Sequence, residues 1–294
     1  MSIIRNKHHK IYSGIKISFY LFFYLLILGS TSYIDLPFNY YLEIFVLRSC
    51  MLIYSAIAFF VIFHLEKRPP KDFGIICRMT TMKHLVYGLC MGAISILFIT
   101  GILFLSQQAK LEFSWQQPIF STNILYILLL FIVVGIDEEL LIRGYMIHTL
   151  GRYNTTYVVY LVPAIIFGAL HLSNPHVSVV GFINIIVIGI LFTYMTLKTR
   201  NIMMAIGFHI TWNFFQGGFF GFNVSGTTTE AVYPIILLKD NLWTGGDFGL
   251  EGGVLTTLTV LLVGLLVYYL PLQKTNVQRH HNTLSHDTTY KRAT

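Results

Sequence analysis

The chain has 294 residues, a net charge of +7, 55% hydrophobic residues and only 11% charged ones, with a mean hydropathy of +0.66. Soluble domains carry roughly 25% charged residues, so the composition excludes an ordinary water-soluble domain and predicts an all-α integral membrane protein set in a lipid bilayer. The positive charge is read as cytoplasmic loop charge, with no nucleic-acid partner, because the basic residues fall in short segments between apolar runs.

Residues 1–14 form a basic segment with Arg5, Lys7 and Lys10. The apolar run that follows is too long for a cleavable leader, and no small-residue cleavage site comes after it. Eight apolar spans are predicted as helices, at 15–33, 41–65, 83–105, 122–150, 156–171, 179–197, 202–220 and 253–272. They make one transmembrane helix bundle over 15–272, followed by a polar tail, 273–294. Basic clusters follow the second span (Lys67, Arg68, Lys71, Arg78), the fourth (Arg152) and the sixth (Lys198, Arg200), and recur in the tail (Lys274, Arg279, Lys291, Arg292). All lie on one side if both termini are cytoplasmic, and the net acidic segment 221–251 lies on the other. No internal repeat is visible, which argues against an inverted-repeat transporter. Cys50, Cys77 and Cys90 have no metal-type spacing, and Cys50 and Cys90 are expected to be packed thiols.

Ionisable groups inside apolar spans are costly and usually face a cavity. The fourth span ends in Asp137, Glu138 and Glu139, three of the chain's 13 acidic residues, followed by Arg143. Asp137 is expected to mark the polar shoulder of the span. Glu139 and Arg143, four apart, share a helical face and can pair. Glu138 is rotated by about 100° from Glu139 and points elsewhere. A buried structural ion cluster is the bland alternative, but a pair needs only one carboxylate. In the fifth span His171 follows Phe167 by four residues, and in the seventh Asn213 follows His209 by four. Taken singly, His171 reads as a satisfied packing residue, and His209 with Asn213 as an interhelical hydrogen-bond contact. Together they supply a carboxylate, two imidazoles and a carboxamide from three spans, an inventory for activating water and holding an oxyanion. Gly-x-Ser-x-Gly and His-Glu-x-x-His are both absent.

The order EExxxR (Glu138, Glu139, Arg143), FxxxH (Phe167, His171) and HxxxN (His209, Asn213) resembles the CPBP family of CAAX proteases and bacteriocin-processing proteins, also called Abi proteins. The resemblance places the family core at about 122–272. It implies an intramembrane endopeptidase that cleaves a membrane-associated protein or peptide, with Glu138 as the catalytic glutamate. His171, His209 and Asn213 are then the other water- or metal-binding positions, with Glu139, Arg143 and Phe167 supporting. It also implies either glutamate-activated water or a divalent metal such as zinc held by His171 and His209. The roles implied are bacteriocin immunity, peptide maturation or CAAX-type processing, in the plasma membrane of a prokaryote. Two readings of other classes stand beside it: a non-catalytic membrane immunity or binding protein, and a proton-coupled transporter that uses the same groups as a relay. Counting about 1.5 Å per residue, His171 stands more than 20 Å from the start of its span and should lie too high to meet Glu138 and His209.

Overall fold

A computed structural model describes residues 12–31, 33–76, 78–151 and 154–272. The residues before Tyr12, Cys77, Arg152 and the tail from 273 lie outside them. The described chain is a helix bundle: α1 (Ser13–Thr31), α2 (Tyr40–Glu66), α3 (Met79–Leu105), α4 (Thr122–Glu139), α5 (Ile147–Leu150), α6 (Thr156–Leu170), α7 (Val179–Thr199), α8 (Met203–Asn213) and α9 (Val254–Tyr269). Asn39 caps α2 by accepting from Leu42 N at 3.0 Å, and Ser178 caps α7 by accepting from Gly181 N at 3.0 Å. Each supplies an acceptor for an orphan amide at a helix start.

Four helices, α1, α2, α3 and α7, are long and apolar enough to cross a membrane, and the chain is an integral membrane protein; α6 and α9 are apolar but shorter. The fourth and seventh predicted spans are not single α-helices. The fourth passes from α4 through a π-helical stretch, Leu140–Met146, into α5, and the seventh from α8 into a second, Phe214–Phe219. The all-α expectation is corrected in one place. Ala109–Leu111 (β1) pairs antiparallel with Ile235–Leu237 (β2), with Lys110 opposite Ile236. The cysteine expectation is also corrected: Cys50 and Cys90 are exposed. They sit on outward faces of α2 and α3, where an apolar thiol meets lipid as readily as a core.

Two apolar clusters enclose the middle of the bundle. One joins α3, α7, α8 and α9 through Ile99, Phe192, Phe208 and Val263. The other joins α1, α2, the first π-helix and α6 through Tyr20, Phe59, Tyr145 and Phe167. The pairing of α3 with α8 sets the position of α8 and rests on small residues. A Cβ added at Gly88 would overlap the carbonyl oxygen of Met204, and one at Gly92 that of Phe208. Glycines four apart let the two backbones touch, the small-residue device of membrane helix packing.

Candidate active site

The Glu138, Glu139 and Arg143 motif lies where α4 turns into its π-helix. Glu139 and Arg143 are fully buried and paired, with Nη1 donating to Glu139 Oε1 at 2.8 Å. Arg143 Nη2 also donates to Gly189 O of α7 at 3.2 Å. The guanidinium lies 4.5 Å over the Phe167 ring and 5.1 Å over that of Phe192. The cation is therefore held by one carboxylate, one carbonyl and two ring faces, an arrangement that compensates a buried charge. Asp137 is not a polar shoulder. It is 2% exposed and accepts from Tyr24 of α1 and Ser55 of α2, so it ties three helices together.

His209 stands between the two glutamates. Its Nδ1 is 3.1 Å from Glu139 Oε1, and its Nε2 is 3.9 Å from Glu138 Oε2. A carboxylate can only accept, so Nδ1 donates, and in the neutral ring Nε2 presents its lone pair. His171 ends α6, and its Nδ1 bonds Phe167 O at 2.8 Å. A carbonyl too can only accept, so this Nδ1 also donates, and in the neutral ring Nε2 is the acceptor. The Phe167 ring touches both imidazoles, with centroids 4.8 Å from His171 and 6.2 Å from His209. Glu138 Oε2 is buried with no hydrogen-bond partner among the described residues. Asn213, one turn beyond His209, is 7% exposed.

Glu138, His171, His209 and Asn213 line one cavity of about 730 Å³. Its floor includes the buried Leu141, Phe192 and Trp212, and its rim the exposed Tyr40, Thr227 and Thr228. The depth mismatch expected for His171 is thus absent. The chain from Glu138 to Leu150 falls by twelve residues and α6 climbs by fifteen from Thr156 to His171. At 1.5 Å per residue the two levels differ by only about 5 Å.

Sequence reading missed two charged residues in the same cavity, Arg48 of α2 and Glu251 of the turn before α9. Glu251 accepts from Gln216 Nε2 at 2.5 Å and from Trp212 Nε1 and Ser225 N, each at 3.4 Å. Burial pushes its carboxyl above the usual carboxylate range. A carboxylate flanked by glycines just before an apolar span is the signal that could have found it.

Both imidazoles have their Nδ1 on an oxygen, the orientation seen in metal-ligating histidines. Yet among the described residues no group of three or more His, Cys, Asp or Glu side chains could hold a metal ion. The donors as placed do not close on an ion, and the chemistry below is derived for water.

Comparison with known proteins bears directly on this geometry. The family model described as type II CAAX prenyl endopeptidase Rce1-like matches residues 120–215. The CAAX-protease (CPBP) resemblance is borne out. The Rce1-like stretch runs from the start of α4 into the second π-helix and contains all seven motif residues. The uncharacterized protein YyaK of Bacillus subtilis (strain 168) is 34% identical over 83 residues, 26% of this chain and 27% of that relative. The match thus spans about a quarter of the curated relative's length. No solved structure matches.

Proposed function

We propose that the protein is an intramembrane endopeptidase of a prokaryotic plasma membrane that hydrolyses a peptide bond of a membrane-associated protein or peptide. One observation carries the reading: Glu138 Oε2, buried and without a hydrogen-bond partner among the described residues, stands 3.9 Å from Nε2 of His209 inside the cavity. A single water can donate to both atoms and turn its lone pair toward the cavity. Glu138 accepts one proton as the water oxygen attacks the carbonyl carbon. The negative charge that forms on the carbonyl oxygen is met by the Nδ2 amide of Asn213. The carbon–nitrogen bond then breaks and the proton on Glu138 passes to the leaving amine. His171 Nε2 accepts from the incoming peptide or a second water. Glu139 fixes the tautomer of His209, and Arg143 and Phe167 fix Glu139 and the rings. The Rce1-like match supports the same reaction class. Peptide maturation, self-immunity to a bacteriocin and CAAX-type processing would all use this chemistry.

The test is cleavage of membrane-tethered peptides by the purified protein in nanodiscs. Glu138→Gln keeps the shape but cannot take the proton. We expect hydrolysis to fall to background while the melting temperature in detergent stays within about 2 °C, roughly the shift of a surface substitution of 0.5 kcal/mol. Wild-type rates in Glu138→Gln would remove Glu138 from the base role.

A further inference from the structure

The two ends of the bundle differ in their contacts and in their charge. At one end the segment 220–253 draws helix ends around it. Glu230 N donates to Tyr41 at the start of α2, and the Glu230 carboxylate accepts from Ser121 and Asn123 at the start of α4. Asn241 donates to Gln108 just beyond α3, and Asn174 just beyond α6 donates to Ser225 O. At the opposite end Ser13 of α1 donates to Thr149 O of α5, and Lys16 pairs with Glu66 at the end of α2. There too Ile202 N donates to Gly74 O, and Lys198 of α7 donates to the carbonyls of Val267 and Tyr268 in α9. The connections at the first end, 33–39, 106–121, 171–178 and 220–253, hold two basic residues, Lys110 and Lys239. Against them stand six acids, Asp35, Glu112, Glu230, Asp240, Asp247 and Glu251. At the opposite end the connection 67–78 alone holds Lys67, Arg68, Lys71 and Arg78 against Asp72, with Lys83, Lys198 and Arg200 close by. Basic residues near span ends stay in the cytoplasm, so the acidic end faces out.

The cavity belongs to the acidic end. From that end it takes Thr31, Tyr40, Tyr41, Ser173, Asn174 and Thr228, and among the described residues its lining includes none from 67–83 or 198–203. Ser173 and Thr228 are exposed. Toward the basic end the cavity stops at Leu141 and Ile142, and Arg143, Tyr145 and Met146 are buried beyond them. From Glu138 to Leu150 about 18 Å of packed helix closes that side. On α4 the lining runs from Leu130 to Glu138, a depth of about 12 Å. A folded domain cannot follow a carbonyl down so narrow a path, whereas an extended strand can.

We propose that the site is served from the extracytoplasmic face, and that the bond it cuts lies in an unfolded, membrane-anchored polypeptide segment that has already been exported. The cut itself rests on the endopeptidase reading, but the direction of opening is measured without hydrolysis. A transport step must then come before the cut, and the released piece leaves outward. A chain end presented in the cytoplasm meets only the closed end of the bundle.

The opening is tested in protoplasts of a bacterium that expresses the full chain with Cys50, Cys77 and Cys90 changed to serine. Single changes are then added: Thr228→Cys at the rim, Ile44→Cys in the cavity wall, and Lys71→Cys at the basic end. A membrane-impermeant methanethiosulfonate is applied outside, and blocking is read as loss of later labelling by a fluorescent maleimide in detergent. We expect Thr228→Cys and Ile44→Cys to be blocked in intact protoplasts, and Lys71→Cys only after lysis. In the same cells two reporters carry one pool of apolar peptides beside a single transmembrane anchor, facing outward in one and inward in the other. We expect the outward reporter alone to be cleaved, and its cleavage to be lost in Glu138→Gln. Blocking of Lys71→Cys rather than Thr228→Cys in intact protoplasts overturns the orientation. Blocking of Thr228→Cys without Ile44→Cys overturns the open path from that face. Cleavage of the inward reporter overturns the proposal whatever the labelling. Blocking of both from outside with neither reporter cut would sustain the outward opening and sink the endopeptidase reading instead.

Discussion

Replacing Arg143 with alanine isolates the charge at the centre of the bundle. Both Arg143 and Glu139 are 0% exposed. The change removes the 2.8 Å pair with Glu139, the bond to Gly189 O and the stacking on Phe167 and Phe192. What remains is a carboxylate with His209 Nδ1 as its other partner and with Oε2 buried and unbonded. Removing one partner of a buried pair typically costs about 3–5 kcal/mol. At about 2–4 °C per kcal/mol for a domain of this size, the melting temperature should fall by about 6–20 °C. The assay is thermal unfolding in one detergent, followed by intrinsic tryptophan fluorescence. Glu139→Gln with Arg143→Gln leaves two neutral amides in place of the pair and should recover at least half of the loss. If Arg143→Ala melts with wild type and the double change recovers nothing, the pair does not stabilise the bundle, and Arg143 would have to face the substrate.

Three further outcomes follow from the geometry. His171→Ala and His209→Ala should each lower kcat/KM by about 100-fold or more and the double variant by little more, because groups acting on one water are non-additive; multiplying losses would separate them, and elemental analysis of the same proteins reads any bound metal. Gly92→Val should push α8 off α3, costing about 1–3 kcal/mol by overpacking and lowering activity through displaced His209 and Asn213, whereas Gly101→Val, with no atom within 4 Å of its Cβ, should be neutral in both a melt and a rate assay. Burial raises the Glu251 carboxyl, so the folded chain holds that proton longer than the unfolded chain, and stability drains as pH rises from about 4.3, the ordinary glutamate value, toward the raised one. Glu251→Gln should lack that slope, and its melting temperature relative to wild type should therefore climb across that window.

The helices were legible because a membrane span needs an apolar run longer than almost any other element, and the predicted limits of α4 and α6, Thr122 and Thr156, coincide with the helix starts. The pairing of Glu139 with Arg143 was legible because four residues make one turn. Less local features were not. The strands β1 and β2 are three residues each and more than a hundred residues apart, so neither carries a periodicity of its own. Asp137 differs from Glu138 only by a helical rotation, and nothing in the chain's order says that this direction leads to Tyr24 and Ser55. The cysteines show the same limit, since an apolar segment does not reveal which of its faces meets lipid. Arg48 was different. A lone cation within an apolar span is a readable signal, but its place in the Glu138 cavity depends on the alignment of α2 with α4.

Two of the three α-helices that carry motif residues pass into a π-helix: α4 after Glu139, so that Arg143 lies within the π stretch, and α8 after Asn213. A π turn closes its hydrogen bonds one residue later than an α turn, so each stretch amounts to a residue accommodated in excess. Loss of a single residue between 140 and 146 would let the backbone return to regular α bonding with little turn of the helix beyond, but it would re-aim the side chains within the stretch and carry Tyr145 and Met146 off their packing. The segment thus tolerates exchange of one side chain for another far better than a shift in count.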